Sequence, residues 1–120
     1  MKKYILQIFC LLFITVASFA QNKIVVFQSD FGLKDGAVSA MKGVAMGVDS
    51  SLKLFDLTHE IPAYNIWEAA YRLEQTVPYW PAGTVFVSVV DPGVGTSRKS
   101  VVLKQKPGIL LLRLITVRLH

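Results

Sequence analysis

Short apolar runs alternate with polar punctuation along the middle of the chain. Residues 23–28, 52–57 and 84–90 are rich in β-branched and aromatic side chains and are bounded by small polar residues, so each is expected to be a strand. A fourth strand is expected over residues 100–104. Between the first two, Ala37, Met41, Val44 and Val48 recur at helical spacing, and Asp49, Ser50 and Ser51 end that run. A second helix is expected over residues 66–77, with Trp67, Ala70, Tyr71 and Leu73 as packing candidates and Pro78 as its stop. Strands alternating with helices predict an α/β fold with a mainly parallel sheet and flanking helices. Parallel strands joined by right-handed crossovers place the loops after the first three strands at one edge of the sheet.

The two ends break this pattern. Lys2 and Lys3 precede an apolar stretch from Ile5 to Phe13, and Ser18, Phe19 and Ala20 are small or apolar residues at a cleavage position. Residues 1–20 therefore read as a secretory signal peptide cut after Ala20, with a periplasmic or secreted product. An uncleaved anchor is the alternative, although the apolar run is short against the roughly 20 residues a bilayer needs. Cys10, the only cysteine, would leave with the signal, so no disulfide or thiol chemistry is expected. At the other end, residues 109–120 carry neither a clean helical nor a strand period. Residues 105–120 read as a divergent tail, from a frameshifted or truncated end or a basic membrane-associated segment.

Charge changes less than it first promises. The formal net charge is +5, but residues 21–91 hold five basic and eight acidic side chains, a balance of −3. The surplus lies in Lys2 and Lys3 and in six basic residues after Asp91. With no basic stripe interleaved with aromatics in the middle, nucleic acid is not an expected partner.

The loops carry the candidate chemistry. Ligands bind at the carboxyl ends of strands in open α/β sheets. There the chain offers residues 28–32 after the first strand, Asp56-Leu57-Thr58-His59-Glu60 at the second, and Asp91-Pro92-Gly93-Val94-Gly95-Thr96-Ser97-Arg98 after the third. Asp30 and Asp35 can each accept hydrogen bonds from a vicinal diol; equally, Asp35 can cap the helix and Asp30 can serve the turn. His59 with Glu60 is too small a ligand set for a metal, and structural hydrogen bonding of His59 is the simpler reading. Tyr64 could offer an aromatic face to a cation or base, or line the rim. The loop 91–98 lacks the Gly-Lys-Ser/Thr ending of a P-loop. Its glycines allow close approach of the backbone to a ligand. Asp91 and Arg98 can hold and polarise a water between them, or form a plain ion pair.

Taken in order, Ser29-Asp30-Phe31-Gly32, Met41-Lys42-Gly43, Asp56-Leu57-Thr58-His59-Glu60-Ile61, Pro81-Ala82-Gly83-Thr84-Val85 and the block from Asp91 to Arg98 resemble the S-adenosylmethionine hydroxide adenosyltransferases, relatives of the fluorinating and chlorinating enzymes. The resemblance covers residues 23–104, and residues 21–104 are expected to form part of the family's amino-terminal α/β domain. It implies attack of water or hydroxide at the ribose C5′ of S-adenosylmethionine, giving adenosine and L-methionine, with no cofactor and no metal. It implies catalytic roles for Asp91, orienting the water, and Arg98, its partner. It implies substrate-binding roles for Asp30 at the ribose hydroxyls and for Phe31, Gly32, Asp35, Tyr64, Pro92, Gly93 and Val94. Halogenating members depart from Asp-Pro-Gly at the position of Asp91, which places this chain with the water-using branch.

The resemblance also implies a later catalytic histidine in a Phe-His-Gly-Arg-Asp-type segment, a carboxyl-terminal β-barrel, and a homotrimer with its sites between subunits. None of the 120 residues matches the histidine segment or the barrel. Three functions follow as expectations: an inactive or weakly active piece of a hydrolase, an exported nucleoside-binding half-domain, or a membrane-associated protein.

Overall fold

The structure is a computed structural model and describes residues 22–90, 99–105 and 109–117. Its elements follow in the order β1 (Ile24–Ser29), α1 (Ala37–Val48), β2 (Lys53–Thr58), α2 (Ile66–Thr76), a 3-10 turn (Val77–Tyr79), β3 (Val85–Val89), β4 (Lys99–Gln105) and β5 (Ile109–Val117). They build one five-stranded sheet in the order β2-β1-β3-β5-β4. The pairs β2–β1, β1–β3 and β3–β5 are parallel, and β4–β5 is antiparallel. The fold is α/β with a mainly parallel sheet, as the alternation of strands and helices predicts.

β1 lies between two parallel neighbours, and Val25, Val26, Phe27, Gln28 and Ser29 are all buried. A strand covered on both faces reads as a continuous apolar run, which is why residues 24–27 lack polar alternation. On one face Val26 and Phe86 pack with Leu73 and Val77, flanked by Ile24, Leu57 and Trp80. Trp80 bridges Phe55 and Phe86 at ring separations of 5.4 and 6.2 Å. A second cluster joins Ile61, Ala69 and Val90 near the carboxyl edge. Gln28 sits within this layer and donates through Nε2 to the Ala69 carbonyl and to Ser88 Oγ, at 3.0 and 2.8 Å.

The helices bury stripes that match those expected only in part: Leu73 is buried as expected, and Met41 and Ala70 are half-buried. In α2 the buried residues are Ala69 and Leu73. Trp67, at 82% exposure, and Tyr71 face solvent. They stand two positions before the buried pair, about 200° around the helix, so all four cannot share one face. In α1 only Val38 is buried, while Val44 and Val48 are exposed. Met41, Lys42 and Ala45 are half-buried. The stripe that meets the sheet is therefore 38, 41, 42 and 45. Both stripes have helical spacing, and α1 is apolar on too many sides for period alone to choose between them.

β5 occupies residues 109–117, where the sequence predicts neither a strand nor a settled helix. It runs parallel to β3 from Val85–Leu110 to Val89–Leu114 and antiparallel to β4. An interior strand needs no alternation, so a run with no clean period is compatible with this place. Among the described residues no helix is long and apolar enough to cross a membrane. Residues 1–21, which hold the expected signal segment, lie outside the described residues.

Candidate functional site

Because β1, β2 and β3 are parallel, their carboxyl ends share one edge. At that edge the backbone N–H of Asp30 donates to the Val89 carbonyl on β3 at 3.4 Å, and the N–H of Ile61 donates to the Ser29 carbonyl at 3.4 Å. The loops after β1 and β2 are thus stitched together beside the end of β3.

Asp30 is half-buried, and its carboxylate is fixed at one end. Oδ2 accepts a hydrogen bond from the backbone N–H of Tyr64 at 2.7 Å. Oδ1 has no hydrogen-bond partner among the described residues. Tyr64 holds a left-handed backbone, φ +63°, rare for a bulky side chain. Immediately after it, Asn65 caps α2 by accepting from the Glu68 N–H at 3.0 Å. Gly32 adopts φ +69°, which glycine tolerates without cost from a Cβ. Its N–H donates to the His59 carbonyl at 2.8 Å. Phe31 and Tyr64 leave their rings exposed.

Asp35 stands further along the same loop. Its Oδ1 accepts from the Ala37 N–H at 2.9 Å, across Gly36, the N-cap residue that precedes α1. This bond is an Asx-type turn leading into α1; Oδ2 has no hydrogen-bond partner among the described residues.

Beneath the loop runs a chain of polar side chains that the sequence reading did not assemble. Lys42 Nζ on α1 lies 2.6 Å from Asp56 Oδ2 on β2. Asp56 Oδ1 lies 3.0 Å from His59 Nε2, and His59 Nδ1 lies 2.7 Å from Ser29 Oγ. Ser29 Oγ also accepts from the Phe31 N–H at 3.3 Å. His59 and Ser29 are buried, so their polar atoms need these partners. Desolvation pushes the Asp56 pKa up, but the hydrogen bonds from Lys42 and His59 outweigh it, and the carboxyl is held below its ordinary value. An ionised Asp56 accepts only, so His59 Nε2 carries the proton it donates. The structural hydrogen bonding expected of His59 is what the structure places there.

Asp91, Pro92, Gly93, Val94 and Arg98 lie outside the described residues. Val90, just before them, is buried. The only signals in the sequence for this chain of side chains are that Asp56 and His59 stand three apart and that Ser29 precedes Asp30. Their meeting depends on the pairing of β1 with β2. A separate cavity of about 480 Å³ opens between β2 and α2, lined by residues that include Glu60, Arg72 and Trp80. None of Asp30, Phe31, Gly32, Asp35 or Tyr64 lines it.

The described residues thus form an α/β domain whose mainly parallel sheet carries the Asp30 carboxylate on the loop after β1, at the edge where ligands bind in open α/β sheets. Residues 25–112 match the model of the SAM hydroxide adenosyltransferase N-terminal domain, and the chain belongs to that family. The match continues beyond Gln105 to Leu112. The (R)-S-adenosyl-L-methionine hydrolase of Methanocaldococcus jannaschii is 40% identical over 93 residues, covering 74% of this chain and 35% of that protein. The fluorinase of Actinoplanes sp. is 31% identical over 85 residues, covering 71% of this chain and 28% of that enzyme. A crystal structure of an uncharacterized conserved protein from Thermotoga maritima superposes with a TM-score of 0.72 at 37% identity, covering 75% of this chain and 34% of that one. The chain spans about a third of the length of the curated hydrolases it matches.

Proposed function

We propose that this chain is the nucleoside-holding part of a protein that hydrolyses S-adenosylmethionine, and that by itself it binds adenosine with little or no turnover. The observation that carries this reading is the Asp30 carboxylate, anchored through Oδ2 by the Tyr64 N–H, with Oδ1 unpartnered among the described residues. A vicinal diol donates two hydrogen bonds and matches such an acceptor. The identity to the hydrolases, higher than that to the fluorinase, supports water as the nucleophile.

In the reaction the water oxygen forms a bond to C5′ as the C5′–sulfur bond breaks. The electron pair of that bond goes to sulfur, which leaves as the neutral thioether of methionine, and the water gives up a proton. Asp91 orients the water, and Arg98, its partner, stabilises the developing hydroxide. The sulfonium is already a good leaving group, so positioning supplies most of the catalysis. Substrate contacts are assigned to Asp30, Phe31, Gly32, Asp35, Tyr64, Pro92, Gly93 and Val94.

The basic and apolar opening of residues 1–20 supports export with cleavage after Ala20. That placement favours a second reading, an exported nucleoside-binding half-domain without catalysis. Calorimetric titration with adenosine, run beside chromatographic assay of adenosine released from S-adenosylmethionine, tests both. Saturable binding is expected, and any turnover in ¹⁸O-labelled water should place the label in the 5′-hydroxyl and vanish in Asp91→Ala. A chain that neither binds adenosine nor releases it overturns the proposal. Amino-terminal sequencing of the exported protein checks the cleavage site.

A further inference from the structure

Ser29, His59 and Asp56 are the residue types of a hydrolytic triad, but their arrangement excludes that use. Ser29 is fully buried, and the ring is reversed: Nδ1 meets the serine and Nε2 the carboxylate. The chain is instead directional. Lys42 and the Nε2–H of His59 donate to Asp56. With its proton on Nε2, His59 accepts at Nδ1, so the Ser29 hydroxyl donates to it. The Ser29 oxygen then has lone pairs for the Phe31 N–H. His59 holds the same loop a second time, through its carbonyl and the Gly32 N–H. Asp30 lies between the two grips.

We propose that Ser29 and His59 are positioning residues for Asp30: their buried relay fixes residues 29–32 so that Oδ1 of Asp30 faces the ribose diol. This rests on the reading of Asp30 as the diol acceptor. Neither side chain touches substrate; each acts through the backbone that carries the carboxylate. Hydrogen bonds in such a buried series reinforce one another, and loss of one member leaves its neighbours unpaired. Without the Ser29 oxygen, the Phe31 N–H loses its acceptor and the loop loses its registration.

The test compares affinities for adenosine and 2′,3′-dideoxyadenosine, because their ratio reads the diol contact alone. The wild-type chain is expected to prefer adenosine by about 10-fold or more. In Ser29→Ala the ratio should fall to about 1–3, with dideoxyadenosine affinity unchanged, since only the diol contact is lost. His59→Asn, whose side-chain oxygen can stand where Nδ1 stands, should retain the preference, whereas His59→Gln, which reaches toward Asp56 instead, should lose it. A general loss of packing would lower both affinities together.

A second measurement needs no variant: long-range ¹⁵N–¹H spectra of the wild-type chain at neutral pH should show the His59 proton on Nε2 alone. A wild-type preference retained in Ser29→Ala overturns the positioning role and leaves the nucleoside reading intact. A proton on Nδ1 does the same. A wild-type chain with no preference overturns both.

Discussion

The backbone N–H of Tyr64 donates to Oδ2 of Asp30 across 2.7 Å, tying together residues 34 positions apart. To make that bond Tyr64 takes φ +63°. A left-handed backbone costs an ordinary L-residue about 1–2 kcal/mol, and asparagine pays less because its short polar side chain bonds locally. Tyr64→Asn is therefore expected to stabilise the fold by about 0.5–1 kcal/mol while weakening adenosine binding through loss of the ring. Urea denaturation and calorimetric titration on the same variant check the two halves. A variant that is both less stable and binds as wild type would contradict the argument.

The helix α1 touches the sheet through fewer buried groups than α2. Val38 is its one buried residue, and the Lys42–Asp56 ion pair is its side-chain tie to β2. Segments with few buried apolar contacts open at lower free energy than the core. Amide hydrogen exchange is expected to be faster through residues 41–48 than through residues 69–76, and faster again in Lys42→Ala. Equal protection in the two helices would show that α1 is held by more than these contacts.

The carboxyls of Asp49 and Asp56 contribute to the acid response. Asp49 is lowered to about 2, chiefly by hydrogen bonds from the Ser51 hydroxyl and N–H, with Lys23 adding to them. For Asp56, desolvation is overcome by its bonds from Lys42 and His59, and the pKa is again lowered. The unfolded chain, with an ordinary carboxyl value of 3.8, takes up protons before the folded chain does. These contributions are therefore complete above 3.8 and fade as pH falls through the folded values. Asp49→Asn should flatten the loss of stability between pH 3.8 and about 2, leaving the slope at neutral pH unchanged. Denaturant midpoints measured across that window check it. Asp49 is exposed, so the change should also shrink in high salt.

Gln28, near the carboxyl end of β1, is a buried polar group within the sheet. Its Nε2 serves both the Ala69 carbonyl and Ser88 Oγ, while Oε1 has no partner among the described residues. Gln28→Met keeps the length and removes both bonds, stranding Ser88 in an apolar setting. A loss of about 1–3 kcal/mol is expected by urea denaturation. The double variant Gln28→Met with Ser88→Ala should recover part of it, because removing both partners leaves fewer unpaired groups. No recovery would mean that Ser88 finds another partner.

Much of the architecture is legible in the order of residues. Apolar runs of strand length, broken by Asp49-Ser50-Ser51 and by Pro78, are enough to place β1, α1, β2, α2 and β3 within a residue or two. Parallel pairing follows from the intervening helices, and with it the gathering of the loops after β1 and β2 beside the end of β3. The Asp30 loop can be singled out because a carboxylate and glycine follow a buried strand. Helix faces were less legible. α1 has apolar residues on several sides, and in α2 the large rings of Trp67 and Tyr71 look like core while the small Ala69 does the packing. β5 was not legible, since an interior strand leaves no alternation to read.

By itself, then, the sequence determined the class of fold, the edge at which polar loops collect and the family, because these depend on local period and on short motifs. Tertiary structure alone decided which oxygen of Asp30 is anchored, that Tyr64 takes a left-handed backbone beside it, and that Lys42, Asp56, His59 and Ser29 form one series running from the surface to the buried Ser29. Those relationships depend on the register of β1 against β2, where Phe27 pairs with Asp56 and Gln28 with Thr58 across an irregularity. A shift of one residue in a strand turns every side chain to the opposite face, and that register is a property of the assembled sheet.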